Sequence, residues 1–190
     1  LHDGFRLARS RLNDAHNPGD AHQSEVNGMQ ELKTSGDKGG KYLTFLLGDE
    51  EYGIAILKIK EIIGMMPITY VPQTPEFVKG VINLRGKVIP VIDLRLKFGL
   101  ESVGHTDRTC IIVVEIQGPA AMIQIGLVVD TVSEVLNIRA DDIEDAPTFG
   151  ARLKTDYILG MGKIEKGVKI LLDIDKVLNM DELNLLQEAA

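Results

Sequence analysis

From Lys41 onward the apolar residues fall into short runs punctuated by Gly, Pro and Asp. The runs are Tyr42–Leu47, Tyr52–Ile56, Ile59–Met65, Ile68–Val71, Gly80–Leu84, Val88–Asp93, Cys110–Ile116, Ala121–Val129, Val132–Ile138, Tyr157–Ile164 and Val168–Ile174. Their β-branched content, length and punctuation predict strands of small antiparallel barrels. Pro90 interrupts one run, which predicts an edge position or a bulge there. Only the C-terminus reads as helix. Asp173 to Leu178 opens a helical turn. Asn179 with Glu182 three residues on has capping-box spacing, predicting a second, short helix through Leu186.

The pattern repeats. Thr74-Pro-Glu-Phe-Val-Lys-Gly80 aligns with Lys154-Thr-Asp-Tyr-Ile-Leu-Gly160, and the alignment runs on without a gap through Val88 and Val168, Val91 and Leu171, and Asp93 and Asp173. Upstream, Gly53-Ile-Ala-Ile parallels Gly126-Leu-Val-Val, which sets Ile59 and Glu61 opposite Val132 and Glu134. Two matching β units explain this self-similarity, against the alternative of chance alignment between apolar runs. The expected division is about 41–105, with contributions from the C-terminal segment, and about 106–175. Each unit alone has a marginal core, so the two are expected to pack on a shared apolar layer with a groove between them.

Residues 1–40 differ from the rest. They hold six of the nineteen glycines and three of the four histidines, and end in Ser35-Gly-Asp-Lys-Gly-Gly40. By composition they read as a flexible N-terminal extension or appended tail. The net charge of −7 disfavours nucleic-acid binding, which needs a basic footprint, and electrostatic attachment to a membrane. No apolar run approaches the roughly 20 residues of a membrane span. The single cysteine, Cys110, excludes an intramolecular disulfide and reads as a buried thiol in its apolar run.

Catalytic chemistry has no visible constellation. His105 lies in the polar stretch Ser102-Val-Gly-His-Thr-Asp107 without a nucleophile or metal-ligand spacing. Asp141-Asp-Ile-Glu-Asp145 lacks the ligand alternation and turn glycine of an EF-hand and reads as a solvated acidic face. No phosphate-binding loop and helix follow Gly160-Met-Gly162. Neither an enzyme, a cofactor nor a metal is expected.

The most distinctive stretch is Gly80 to Asp93, where two apolar runs flank Arg85-Gly86-Lys87. Gly86 can supply a positive φ, so a tight hairpin with Arg85 at its tip is predicted. The second unit places Glu165 and Lys166 where Arg85 and Gly86 stand. The scaffold is kept while the tip differs, so Arg85 either serves a purpose beyond the fold or is an ordinary surface arginine on a turn.

Leu47-Gly-Asp-Glu-Glu-Tyr-Gly-Ile54, Ile59-Lys-Glu-Ile62, Thr74-Pro-Glu-Phe-Val-Lys-Gly80, Asn83-Leu-Arg-Gly86, Pro90-Val-Ile-Asp-Leu-Arg95 and Gly126-Leu-Val-Val-Asp130, in this order, closely resemble the CheW family of chemotaxis coupling proteins. The resemblance covers about Lys41 to the C-terminus. It implies a mainly β fold of two SH3-like five-stranded β-barrels packed together, with a short C-terminal helix. It also implies a cytoplasmic, non-catalytic adaptor recruited to receptor arrays at the inner face of the membrane. The implied partners are the tips of methyl-accepting chemotaxis receptors and the regulatory domain of a CheA-type histidine kinase, with no nucleic acid and no direct membrane insertion. By motif position the receptor groove falls on Ile59, Glu61, Arg85, Val132 and Val135, where core packing is the competing role for the valines. Gly80 and Gly86 shape the backbone. Thr148 and Phe149 fall on a kinase- or ring-binding loop, with Phe149 either an anchor for the partner or folded back on its own barrel. The related CheA regulatory domain and CheV proteins carry an attached kinase or receiver domain, for which 190 residues are expected to leave no room.

Overall fold

The computed structural model describes residues 38–147, 155–165 and 167–188. The strands are β1 (Gly40–Leu47), β2 (Glu50–Ala55), β3 (Ile59–Gly64), β4 (Val78–Leu84), β5 (Lys87–Asp93), β6 (Cys110–Gln117), β7 (Met122–Val129), β8 (Thr131–Ile138), β9 (Ile143–Glu144), β10 (Ile158–Ile164) and β11 (Gly167–Leu172). Two helices accompany them, the single turn α1 (Leu94–Lys97) and α2 (Met180–Glu188). One sheet has the order β8-β1-β2-β11-β10-β9 and the other β3-β6-β7-β5-β4.

Each sheet curls around its own interior. Ile63, Ile82, Val91, Ile111 and Val128, one from each strand of the five-stranded sheet, belong to a single apolar cluster. Tyr42, Leu171 and Ile138 centre the equivalent cluster of the other sheet. A third, larger cluster lies between the barrels and takes the alternate residues of the same strands. Ile112, Val114 and Ile116 of β6 face it, whereas Ile111 and Val113 face the barrel interior. Strands buried on both faces read as continuous apolar runs rather than as alternation, which explains Cys-Ile-Ile-Val-Val and Gly-Leu-Val-Val. Leu183 and Leu186 of α2 add to the shared layer. Asn179 and Glu182 form the reciprocal cap, with Glu182 N donating to Asn179 Oδ1 at 2.9 Å and Asn179 N to Glu182 Oε2 at 2.8 Å.

The internal repeat is reproduced in the strand pairing. Val91 pairs with Gly126 and Ile92 with Leu127 across parallel strands, and the matching residues Leu171 and Leu172 pair with Gly53 and Ile54. Asp93 N donates to Phe77 O at 2.7 Å, and Asp173 N to Tyr157 O at 2.8 Å. The two sheets, however, do not divide at about residue 105. β1 and β2 of the first repeat join β8–β11 of the second, while β3–β5 of the first join β6 and β7 of the second. Each barrel is therefore built from both repeats. Sequence similarity marks equivalent strands, but partnership is decided by which arrangement buries both faces of each strand, and here that arrangement crosses the repeat boundary.

Two local expectations are corrected. Ile68–Val71 is not a strand, since only Thr69 bridges to Val81, through Thr69 N to Val81 O at 2.8 Å and Val81 N to Thr69 O at 2.9 Å. Pro67 and Pro72 flank it and shorten the ladder. β5 is an interior strand, yet its pairing with β7 starts only at Val91, so Pro90 lies where β5 is paired on one side. Helix α1 was not legible as a helix. Asp93 caps it, its Oδ1 accepting from Arg95 N at 2.9 Å and Leu96 N at 3.3 Å.

Candidate functional site

Leu84-Arg85-Gly86-Lys87 joins β4 to β5 by a two-residue turn in which Arg85 has φ 53° and Gly86 φ 85°. Positive φ at both central residues defines the type I′ turn, whose twist matches that of a hairpin. Glycine adopts it freely; arginine does so at a cost. Asn83 Oδ1 accepts from Gly86 N at 2.9 Å and holds the turn. Gly80, further down β4, has φ 132°, and a Cβ there would lie 2.0 Å from the Thr69 carbonyl oxygen. The glycine lets the 65–71 segment cross close over the hairpin.

At the tip, Arg85 donates from Nη1 to Glu61 Oε1 at 2.9 Å and from Nη2 to Glu61 Oε2 at 2.7 Å. Arg85 is 77% exposed and Glu61 23%. A guanidinium has five N–H donors, so this fork leaves donors free for a second acceptor. Ile59 lies two residues before Glu61 on β3. It is half-buried and packs on the shared core, as does Val132 at the matching position of β8. One residue beyond Glu61 and its counterpart Glu134, Ile62 and Val135 are both exposed. The structure thus places Ile59, Glu61 and Arg85 in the five-stranded barrel, and Val132 and Val135 on the equivalent edge strand of the other. Val132 is half-buried and packs against the shared core, whereas Val135 is open to solvent. Thr148 and Phe149 lie outside the described residues.

Sequence reasoning named Glu61 and Arg85 separately but not their pairing, because their spacing of 24 residues carries no periodic signal. It also missed Asn83, for which Asn at the start of a Gly-containing turn was the available signal, and exposed Ile62. A further unforeseen feature is a cleft of about 460 Å³ where β5 and β7 diverge before Val91, lined by Val88, Ile89, Pro90, Met122, Ile123 and Leu186 among others. In the other barrel the matching positions hold Lys169 and Glu51, which form a largely buried ion pair.

The remaining candidates are bland in geometry. His105 is exposed. The acidic stretch is largely exposed and matched by cations, Arg139 to Asp141 at 3.4 Å, Lys163 to Glu144 at 2.7 Å and Lys38 to Asp145 at 2.5 Å. Lys38 holds the Asp145 carboxyl below its ordinary range by hydrogen bond and charge. Among the described residues no three His, Cys, Asp or Glu side chains are grouped to hold a metal ion. Cys110 is half-buried, and burial pushes its thiol pKa up against the opposing backbone contact with Val132. Among the described residues no helix is long and apolar enough to cross a membrane.

Residues 41–182 match the CheW-like domain. The chain is 43% identical over 152 residues to the chemotaxis protein CheW of Klebsiella aerogenes, covering 80% of this chain and 89% of that protein. It is 33% identical over 144 residues to the chemotaxis protein CheW of Rhizobium meliloti, covering 76% and 90%. Among solved structures, the scaffolding protein TtCheW of Thermoanaerobacter tengcongensis superposes with a TM-score of 0.67 at 36% identity, covering 76% of this chain and 95% of that one. The chain belongs to the CheW-like family.

Proposed function

We propose that this chain is a non-catalytic chemotaxis scaffold, linking the cytoplasmic tips of methyl-accepting receptors to the regulatory domain of a CheA-type histidine kinase. The observation that carries this reading is Arg85, held in a left-handed turn on the exposed tip of a hairpin and forked onto Glu61. The turn type requires positive φ at this position, and an arginine kept there in place of glycine or asparagine supports a role for its side chain beyond the turn. The matching tip of the second repeat carries Glu165 instead.

In this reading a receptor's helical hairpin lies along the groove between the barrels. Ile59, Val132 and Val135 offer it an apolar seat, and Arg85 and Glu61 a polar contact. Gly80 and Gly86 set the backbone that presents Arg85. Thr148 and Phe149 belong to the kinase or ring contact. The protein works at receptor arrays on the cytoplasmic face of the membrane, held there by its partners.

The test is co-sedimentation with receptor-bearing membranes, with and without the kinase, while kinase autophosphorylation is followed. Pelleting with receptor, together with receptor control of the kinase only when this protein is present, is the expected result. Failure to pellet or to change kinase activity with cognate partners overturns the reading.

A further inference from the structure

We infer that two ion pairs, Arg95 with Asp130 and Lys58 with Asp175, are latches that fix the angle between the barrels, and that these four are positioning residues for the receptor groove. The inference rests on the receptor reading above and names what holds that groove in shape.

Along the described strands the chain passes from one sheet to the other twice. β2 leads to β3 through Ile56–Lys58, and β7 leads to β8 through Asp130 alone. Both passages are closed by the same arrangement. Asp130 Oδ2 accepts from Arg95 Nη1 at 2.6 Å and from Gly48 N at 2.7 Å. Asp175 accepts from Lys58 Nζ at 2.5 Å and from Gln117 N at 2.9 Å. Each carboxylate thus takes one side-chain cation and one backbone N–H, the latter from the end of the first strand of a hairpin, β1–β2 or β6–β7.

The internal repeat relates the two latches and exchanges their charges. Asp93 aligns with Asp173, so Arg95 aligns with Asp175. Gly53 aligns with Gly126, so Lys58 stands one residue past the position of Asp130. At one passage the acid is on the connection and the cation on α1, which follows β5. At the other the cation is on the connection and the acid on the helical turn Ile174–Lys176, which follows β11. A chance surface contact has no reason to recur at the equivalent place with its polarity reversed. What the two units share is the tie itself.

The shared apolar layer resists separation of the barrels but is non-directional, so it does not fix their angle. Two short connections leave rocking about the line between them as the soft motion, of the hinge and shear kind. Charge-assisted hydrogen bonds at both ends of that line are directional and oppose it. The side chains of Arg95 and Asp130 are 14% and 29% exposed and those of Lys58 and Asp175 33% and 30%, so salt screens these pairs less than open surface charges. Ile59 and Glu61 follow directly on Lys58, and Val132 and Val135 on Asp130. Rocking moves one half of the proposed seat against the other, and a helix that needs both halves then binds less tightly.

The test uses the full chain. Spin labels are placed by Ile62→Cys and Val135→Cys, two exposed positions with one on each barrel, in a Cys110→Ala background. Pulsed electron paramagnetic resonance gives the distribution of distances between them, in samples that circular dichroism shows to be folded. Asp130→Asn and Lys58→Met are each expected to widen the distribution about twofold, and Lys58→Arg to restore the parent width. Without labels, the first two are expected to lose at least about threefold in co-sedimentation with receptor-bearing membranes, and Lys58→Arg to keep its affinity. A lower melting temperature with an unchanged distance distribution overturns the inference, since that is what a merely structural pair gives. Widened distributions with unchanged receptor affinity, where Arg85→Asp does lower it, overturn the positioning role. If the parent protein does not bind receptor membranes at all, the receptor reading fails by itself, and the distance distributions alone uphold or overturn the latches. Each latch has its own variant, so if one fails to fold the other decides.

Discussion

Arg85 and Glu61 join the two edges of the five-stranded sheet, for Glu61 lies on edge strand β3 and Arg85 at the turn of edge strand β4. The pair therefore spans the seam of the barrel at the spot where a partner is proposed to dock. Arg85 is mostly exposed, so the pair itself contributes no more than about 1 kcal/mol to stability. Arg85→Asp is expected to unfold within a degree or two of wild type while losing at least about tenfold in receptor affinity, a loss near 1.4 kcal/mol. Thermal unfolding and receptor co-sedimentation on the same sample check both halves. Unchanged affinity in a folded variant removes Arg85 from the site.

Gly80 and Gly86 both have positive φ but differ in surroundings. A Cβ at Gly80 meets the Thr69 carbonyl at 2.0 Å, whereas a Cβ at Gly86 meets nothing within 4 Å. Gly80→Ala is expected to cost at least ~3 kcal/mol, because backbone rather than a mobile side chain must yield. Gly86→Ala is expected to cost about 1 kcal/mol, from the left-handed backbone alone. Urea unfolding midpoints distinguish the two, and equal losses contradict the crossing of the 65–71 segment over β4.

Helix α2 is held by its cap and by Leu186. Asn179→Ala removes one half of the reciprocal cap and is expected to cost ~1 kcal/mol. Leu186, buried in the shared layer, is expected to cost about 2–4 kcal/mol when cut to alanine. Denaturant unfolding monitored by circular dichroism gives both values. A near-neutral Leu186→Ala places α2 off the core.

Tyr52 and Tyr157 stack on either side of Phe98, at ring-centroid distances of 5.6 and 4.9 Å. Burial raises both phenol pKa values, and the neighbouring Tyr157 and Glu50 raise that of Tyr52 further. The folded chain therefore holds these protons to higher pH than the unfolded chain. Between the unfolded and folded pKa values the unfolded state binds fewer protons, so stability falls as pH rises past about 10. Ultraviolet titration is expected to show two phenols ionising late, accompanied by a falling unfolding midpoint. Cys110, raised by burial, follows the same sign, and is expected to alkylate more slowly than a free thiol until the pH is well above ~8.5.

Much of the fold was legible from local pattern. Runs such as Cys110–Ile116 and Val132–Ile138 fall within a residue of β6 and β8, because apolar density and turn punctuation are properties of consecutive residues. The cap at Asn179 and Glu182 was legible for the same reason. Strand β9 was not, since Ile143–Glu144 sits in an acidic stretch and becomes a strand only by lying against Met161 and Gly162 of β10. Helix α1 was hidden because its four residues are too few for a period and depend on the Asp93 cap. Of the candidate site, the residues Arg85 and Glu61 were named from the motifs, while the bond between them had no signature along the chain.

By itself the sequence determined most of the long strands, the tight turn at Arg85-Gly86 and the existence of two equivalent units, because each rests on short-range sterics or on similarity between segments. Only the tertiary structure decided that the units exchange strands, that Val132 is half-buried while Val135 is exposed, and that Glu61 receives Arg85. These depend on which distant segments meet. That choice is made by burying both faces of strands such as β6 and β7 at once, a condition imposed on the whole chain and recorded at no single position in it.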